Sequence, residues 1–339
     1  MMLTVCMKLS QGALVPVIKT SVVKSVPLIR PSITRNLIRT FAEDTRDSPL
    51  GRMSRRRTLR ERAMAPADET ALNIGKGAIA GGAALGLGAL CYYGLGLSNE
   101  TGAIDHARTW PHFVRKRIKD TYFYFGGSLA LTAATAVVAL RSPTLMRFMT
   151  QNSLLSIGAT IAAMIGSGMV VQSIPYQEGF GAKQLAWMAH SAIVGAVIAP
   201  VCFIGGPLIM RAAWYTAGVV GGLSTVAVCA PSEKFLNIGG PLAIGLGVVF
   251  AASLGSMFLP PTTALGAGLY SISLYGGLLL FSGFLLYDTQ RIIRAAEVYP
   301  VYAQHPYDPV NMSISIYLDT INIFIRIAMI LATGNAKKK

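Results

Sequence analysis

The chain has 339 residues, 53% of them hydrophobic and only 13% charged. A soluble domain carries about 25% charged residues, so this deficit excludes an ordinary water-soluble enzyme and points to lipid as the solvent. The net charge of +15 does not indicate a nucleic-acid binder, because 13 of the 30 Lys and Arg lie before residue 63, outside the apolar region.

Residues 1–42 contain Lys8, Lys19, Lys24, Arg30, Arg35 and Arg39 and no acidic residue, with Ser and Thr between aliphatics. This is the chemistry of a mitochondrial presequence. The basic residues interrupt every apolar run, so the uninterrupted core of about 7–15 residues that a secretory signal needs is missing. The stretch Arg39-Thr40-Phe41-Ala42 is similar to the arginine-containing site of the matrix processing peptidase, and Glu43 and Asp44 follow at once, so cleavage is expected near Phe41. Residues 43–70 form an Arg-rich linker (Arg52, Arg55, Arg56, Arg57, Arg60, Arg62) with little to bury, expected to be disordered. Beside a first membrane span, such charges act as topology determinants or contacts for anionic lipid, not as a nucleic-acid arm.

From residue 74 the chain reads as apolar blocks of spanning length, which in a bilayer form α-helices of about 20 residues. The blocks lie at 74–97, 121–140, 153–174, 184–205, 207–230, 237–259, 265–287 and 313–332. The segment 99–120 holds Arg108, Arg115, Lys116, Arg117 and Lys119, too many charges for hydrocarbon, and reads as interfacial. Trp110 and Trp187, near predicted helix ends, read as headgroup-level anchors. The 35 glycines, and small residues four apart such as Gly218 with Gly222 and Ala159 with Ala163, predict close helix packing. Gly-Gly-Pro-Leu at 205–208 and 239–242 marks a break or a helix start. Eight spans put both termini on one side, the matrix face, with Arg141, Arg147, Arg211 and Lys337 to Lys339; Lys183, Lys234, Arg291 and Arg294 fall opposite.

Of the 15 acidic residues, only Asp288 and Asp319 lie within or at the rim of predicted spans. An ionised side chain there costs about 2.5–3.5 kcal/mol on insertion scales, so something must offset it. Asp288 ends the seventh block, and Asp319 lies seven residues into the eighth, where Asp319, Asn322 and Arg326 follow i, i+3, i+7 spacing and share one face. If Asp288 faces that stripe, two carboxyls meet in low dielectric and titrate as a unit. Deprotonated, they are hard oxygen ligands suited to Ca²⁺, which would couple proton and calcium occupancy. The plainer alternative pairs Asp288 with Arg291 at a wet helix end and Asp319 with Arg326. His190 reads as a neutral hydrogen-bonded helix contact or a pathway lining, and Arg211 as a snorkelling interfacial charge. The four cysteines form no CxxC pair, and no nucleotide loop, Ser/His/Asp order or metal-spaced His cluster occurs, so neither an enzyme nor a resident cofactor is expected.

The segments LLYDTQRII (285–293) and YDPVNMSISIYLDTINIFIRI (307–327) resemble the paired-aspartate signature of the transmembrane Bax-inhibitor-motif family. GGPLIMRAAWYTAGVVGGLSTVA (205–227), APSEKFLNIG (230–239) and SLGSMFLPPTT (253–263) closely resemble its mitochondrial branch. The resemblance runs from about residue 70 to the C-terminus. It implies an all-α membrane protein with a seven-helix bundle at 121–335, preceded by an extra N-terminal transmembrane helix at 71–98. It also implies the inner mitochondrial membrane and a pH-sensitive calcium pathway acting by calcium/proton exchange, with links to cristae organisation, cytochrome c retention and apoptosis. The family's aspartates match Asp288 and Asp319. In some relatives an arginine on an early bundle helix latches the pair; Arg141 and Arg211 are the candidates, and neither is assigned. The alternative is a structural protein of cristae membranes that binds partners without moving ions. Oligomeric state is not legible.

Overall fold

The computed structural model describes residues 58–67, 69–95, 97–98, 102–107, 109–150, 154–231, 233–303 and 305–336. The predicted presequence with Arg39, Phe41 and Ala42, the linker up to residue 57, Arg108 and Lys337 to Lys339 lie outside these residues.

Among the described residues, eight helices have the length and apolarity to cross a membrane. They are α1 (Thr70–Gly94), α2 (His112–Leu140), α3 (Leu154–Ser173), α4 (Ala182–Ile198, extended by a 3₁₀ segment Ala199–Ile204), α5 (Gly206–Cys229), α6 (Gly239–Phe258), α7 (Ala264–Val298) and α8 (Pro309–Ala336). No β-strand occurs among the described residues, where the extended backbone forms one isolated bridge. The chain is thus an all-α multi-pass membrane protein.

Local chemistry sets the breaks. Gly205, at φ 114°, turns the chain between the 3₁₀ segment and α5, and Pro207 follows in the first turn, where its missing N–H costs nothing. Pro260 and Pro261 separate α6 from α7, and the Thr263 hydroxyl caps α7 by accepting from the Gly266 N–H at 3.2 Å. Pro300 and Pro306 keep the next connection open until Pro309 starts α8.

Helix α8 is the axis of the bundle. It packs against α2, α5, α7 and the 3₁₀ end of α4, while α1, α3 and α6 sit at the periphery. Tyr317, Ile316, Ile323 and Ile325, on different sides of α8, are each fully buried. The polar stripe therefore does not distinguish a bundle-facing side, because protein surrounds the helix on nearly every side.

Several expectations change. Residues 112–120 of the predicted interfacial segment are the first turns of α2. Part of the predicted disordered linker is ordered: Thr58 and Glu61 form a capping box at Leu59–Ala63. Ala67 N then donates to Thr262 O at 2.7 Å, and Ala264 N donates to Ala65 O at 2.9 Å. The turn between α6 and α7 leaves backbone groups open, and this segment satisfies them. Trp187 is no headgroup anchor; it is buried, donates from Nε1 to Ser128 Oγ at 2.7 Å and meets Tyr124 edge-on. Its place in the second turn of α4 faces it toward α2. The pairs Gly218/Gly222 and Ala159/Ala163 are not close contacts: a Cβ at either glycine would meet nothing within 4 Å, and both alanines are exposed. The tight approaches use other glycines, such as Gly195 against α2.

Candidate ion site

The seventh predicted block stops at residue 287, just before Asp288, yet α7 continues to Val298, ten residues beyond that aspartate. The extra turns are amphipathic, with Ile292, Ile293 and Ala296 buried and Arg291 and Arg294 exposed. This packed face carries the helix on and places Asp288 inside the bundle, 5% exposed, instead of at a wet end. Asp319 lies ten residues after Pro309, which opens α8. At 1.5 Å per residue both carboxyls sit about 15 Å along their helices from the same face of the bundle.

The two meet there. The buried Asp288 and Asp319 carboxyls are close enough to interact electrostatically, and Ser315, one turn before Asp319 on α8, lies beside Asp288 while donating its hydroxyl to Met312 O at 3.3 Å. A hydrogen bond formed between the two would need one proton, because an ionised carboxylate has no donor. Arg291 Nη1 reaches Asp288 Oδ1 at 3.5 Å from its half-exposed position. Asp319 Oδ2 is buried and accepts no hydrogen bond.

The stripe below is occupied differently from its plainer reading. Arg326 is fully buried and turns to Asn322 and α7: Nη1 donates to Asn322 O and Oδ1, each at 3.0 Å, and Nε donates to Ser273 O at 3.3 Å. Ser273 belongs to a π-helical turn, Ile272–Gly276, within α7. Such a turn spoils the regular ladder and leaves carbonyls for other donors. The guanidinium also lies 4.6 Å from the Phe281 ring centroid. Asn322 Nδ2 donates to Leu318 O at 2.8 Å.

The remaining predicted residues stand apart. Arg141 caps α2 and Arg211 lies near the start of α5; both are exposed at the face opposite the one from which the carboxyl depth is measured. His190 is buried, with Nδ1 2.8 Å from Ser167 Oγ and Nε2 unpartnered, and lines a cavity of about 250 Å³ together with Gln172 and Asn322.

Sequence reasoning passed over three residues. Ser315 is four residues before Asp319, so helical spacing alone could have found it. Lys183, placed among the surface charges, is 2% exposed; its Nζ pairs with Asp308 and donates to Ile174 O at 2.8 Å. Asp308 in turn accepts from the Asn311 N–H at 3.0 Å, holding the start of α8. No spacing links residues 125 positions apart. Asp308 lies within a quoted motif and carried no separate signal.

Among the described residues, no three His, Cys, Asp or Glu side chains are grouped as metal ligands. The paired carboxyls and Ser315 offer a few hard oxygens, whereas Ca²⁺ takes about 6–8, so water must complete any shell.

Residues 114–336 match the family described as Inhibitor of apoptosis-promoting Bax1. The chain is 56% identical over 331 residues to the Growth hormone-inducible transmembrane protein of Rattus norvegicus, covering 94% of each. It is 29% identical to Bax inhibitor 1 of Rattus norvegicus over 66% of this chain and 89% of that protein. An uncharacterized protein of Helicobacter pylori is also 29% identical, over 63% of this chain and 85% of its own.

Proposed function

The chain belongs to the Bax inhibitor family, and on that premise we propose that it forms a pH-sensitive calcium pathway in the mitochondrial inner membrane, working by calcium/proton exchange at Asp288 and Asp319. One observation carries this reading: two carboxyls from α7 and α8 meet inside the bundle, with Asp319 Oδ2 accepting no hydrogen bond. Protonated, the pair closes on itself. Deprotonated, it presents oxygens to Ca²⁺, so protons and calcium compete for one place. Arg291, half-exposed and 3.5 Å from Asp288, is a positive charge beside the pair with which an arriving cation competes. The acid-free segment 1–42 supports import into mitochondria. Effects on cristae organisation and apoptosis follow, in this reading, from calcium handling by the inner membrane.

The test is simultaneous measurement of Ca²⁺ and H⁺ flux in proteoliposomes. The wild-type protein is expected to move protons against calcium, with calcium flux rising as pH rises. Asp288→Asn and Asp319→Asn should each abolish the pH-dependent component. An Asp319→Asn protein that moved Ca²⁺ with an unchanged pH response would rule the site out.

A further inference from the structure

Between α2 and α5 the bundle leaves a groove of about 580 Å³ that opens on its outer surface. The walls are Ala133 and Val137 of α2 and Ala213 and Ala217 of α5, all exposed. The floor is α8 at Thr320 and Phe324, beside the residue that carries the candidate ion site. Three hydroxyls line it, and each is already spent on a backbone carbonyl: Thr132 on Ser191, Thr216 on Ala212 and Thr320 on Ile316. With those donors satisfied, the interior favours a hydrocarbon occupant.

Charge marks one end. Ala133, Val137 and Arg141 follow one another at i, i+4, i+8 along α2, so the exposed outer wall runs into the exposed Arg141. The helix Pro143–Thr150 comes next; it anchors Met146 against the bundle beside Ala136 and Ala199 and leaves Arg147 exposed. No Asp or Glu occurs between Asp120 and Glu178, or between Glu178 and Glu233, so α2, α3, α4, α5 and their connections bring no carboxylate to this end. Glu61 and Glu69, also on this side, belong to the segment leading into α1; its short helix Leu59–Ala63 packs against the start of α7, and α1 itself packs against α5 and α7. The opposite face differs, for there Lys116 pairs with Glu178, Lys183 with Asp308 and Arg294 with Glu233.

The geometry points to a binding site for one anionic phospholipid, with an acyl chain in the α2/α5 groove and its phosphate against Arg141 and Arg147. A chain seated there touches the helix that bears Asp319 and can bias its packing. A neutral or zwitterionic lipid would fill the same groove without using the guanidinium groups, and the experiment separates the two.

Full-length protein, delipidated in mild detergent, is titrated with dioleoylphosphatidylglycerol or dioleoylphosphatidylcholine, and retained lipid is read by native mass spectrometry. The expected result is one retained phosphatidylglycerol, preferred at least about tenfold, as two guanidinium groups at a membrane surface allow. Arg141→Gln combined with Arg147→Gln should erase the preference while leaving chain binding. Ala217→Phe, on the exposed wall, should abolish retention of both lipids; Val137→Trp fills the same groove from α2 should the first variant fail to fold. Arg294→Gln, whose charge is already paired, should change nothing. Equal retention of the two lipids by wild-type protein overturns the proposal. So does a preference that survives loss of both arginines, or retention that survives the filled groove.

Discussion

Gly277→Ala puts the staple between α7 and α8 to a direct test. A Cβ at this position would lie 2.2 Å from Arg326 Nε and 2.8 Å from Cζ. An arginine at a surface would swing aside at little cost. Arg326 is enclosed, its guanidinium held by Asn322 and the π-turn carbonyl of Ser273 and stacked near Phe281. Admitting the methyl group means giving up the Ser273 bond, worth about 1.5–3 kcal/mol for a charged donor. Overpacking a filled core adds about 1–3 kcal/mol. Replacing a mid-helix glycine returns about 1 kcal/mol, so the net loss is about 1.5–5 kcal/mol. Equilibrium unfolding in mixed micelles, followed by tryptophan fluorescence, reads it. The same substitution in an Arg326→Met background should cost under about 1 kcal/mol, because a thioether bends where a bonded guanidinium cannot. A Gly277→Ala protein within about 0.5 kcal/mol of wild type, or an equal penalty in both backgrounds, refutes the reasoning.

The Lys183–Asp308 pair should respond asymmetrically: Asp308→Ala strands a fully buried ammonium and costs about 3–5 kcal/mol, while Lys183→Met leaves the partly exposed Asp308 to water and costs less. Unfolding midpoints of the two variants compare them, and equal losses would contradict the burial difference. Gly195→Ala drives a Cβ to 1.9 Å from Thr135 Oγ1 and 2.6 Å from the Thr132 carbonyl, so it should cost about 1–3 kcal/mol or more. Gly218→Ala, with nothing within 4 Å, should be neutral or stabilising in the same assay. Glu178→Gln breaks an ion pair exposed on both sides and should leave the midpoint unchanged, although Lys116 holds the Glu178 carboxyl below its ordinary range.

The spans were legible because lipid imposes one rule on every residue: a stretch long enough to cross must be apolar and helical. Charged termini of helices were harder to read. Arg115 to Lys119 and Arg291 to Arg294 look foreign to hydrocarbon, yet each forms part of a continuous helix, α2 or α7, whose turns extend past the apolar length. Asp288 and Asp319 could be nominated from the cost of charge in a membrane, but their contact could not, since it depends on how α7 continues and which way it faces. Lys183 shows the limit more sharply. Its neighbours in sequence are those of an ordinary interfacial lysine, and only the connection before α8 reveals that Asp308 closes over it. Helix-packing glycines failed for a related reason: small-residue spacing predicts a smooth face, and whether another helix lies against that face is tertiary information.

Polar groups on α8 are shielded from lipid because α2, α5, α7 and the end of α4 surround it. This exchanges one penalty for another. A dry protein interior is no kinder to an unpaired polar atom than hydrocarbon is, so each must be matched from within. Along the stripe, Arg326 donates to both oxygens of Asn322 and to the π turn, and Asn322 spends its amide on Leu318. Asp319 breaks the pattern, with a buried Oδ2 that accepts no hydrogen bond and another acid as its neighbour. A bundle built only for stability would do better with two apolar side chains at these positions. Asp288 and Asp319 are therefore left carrying a cost that the bonded residues along the same stripe, Asn322 and Arg326, do not.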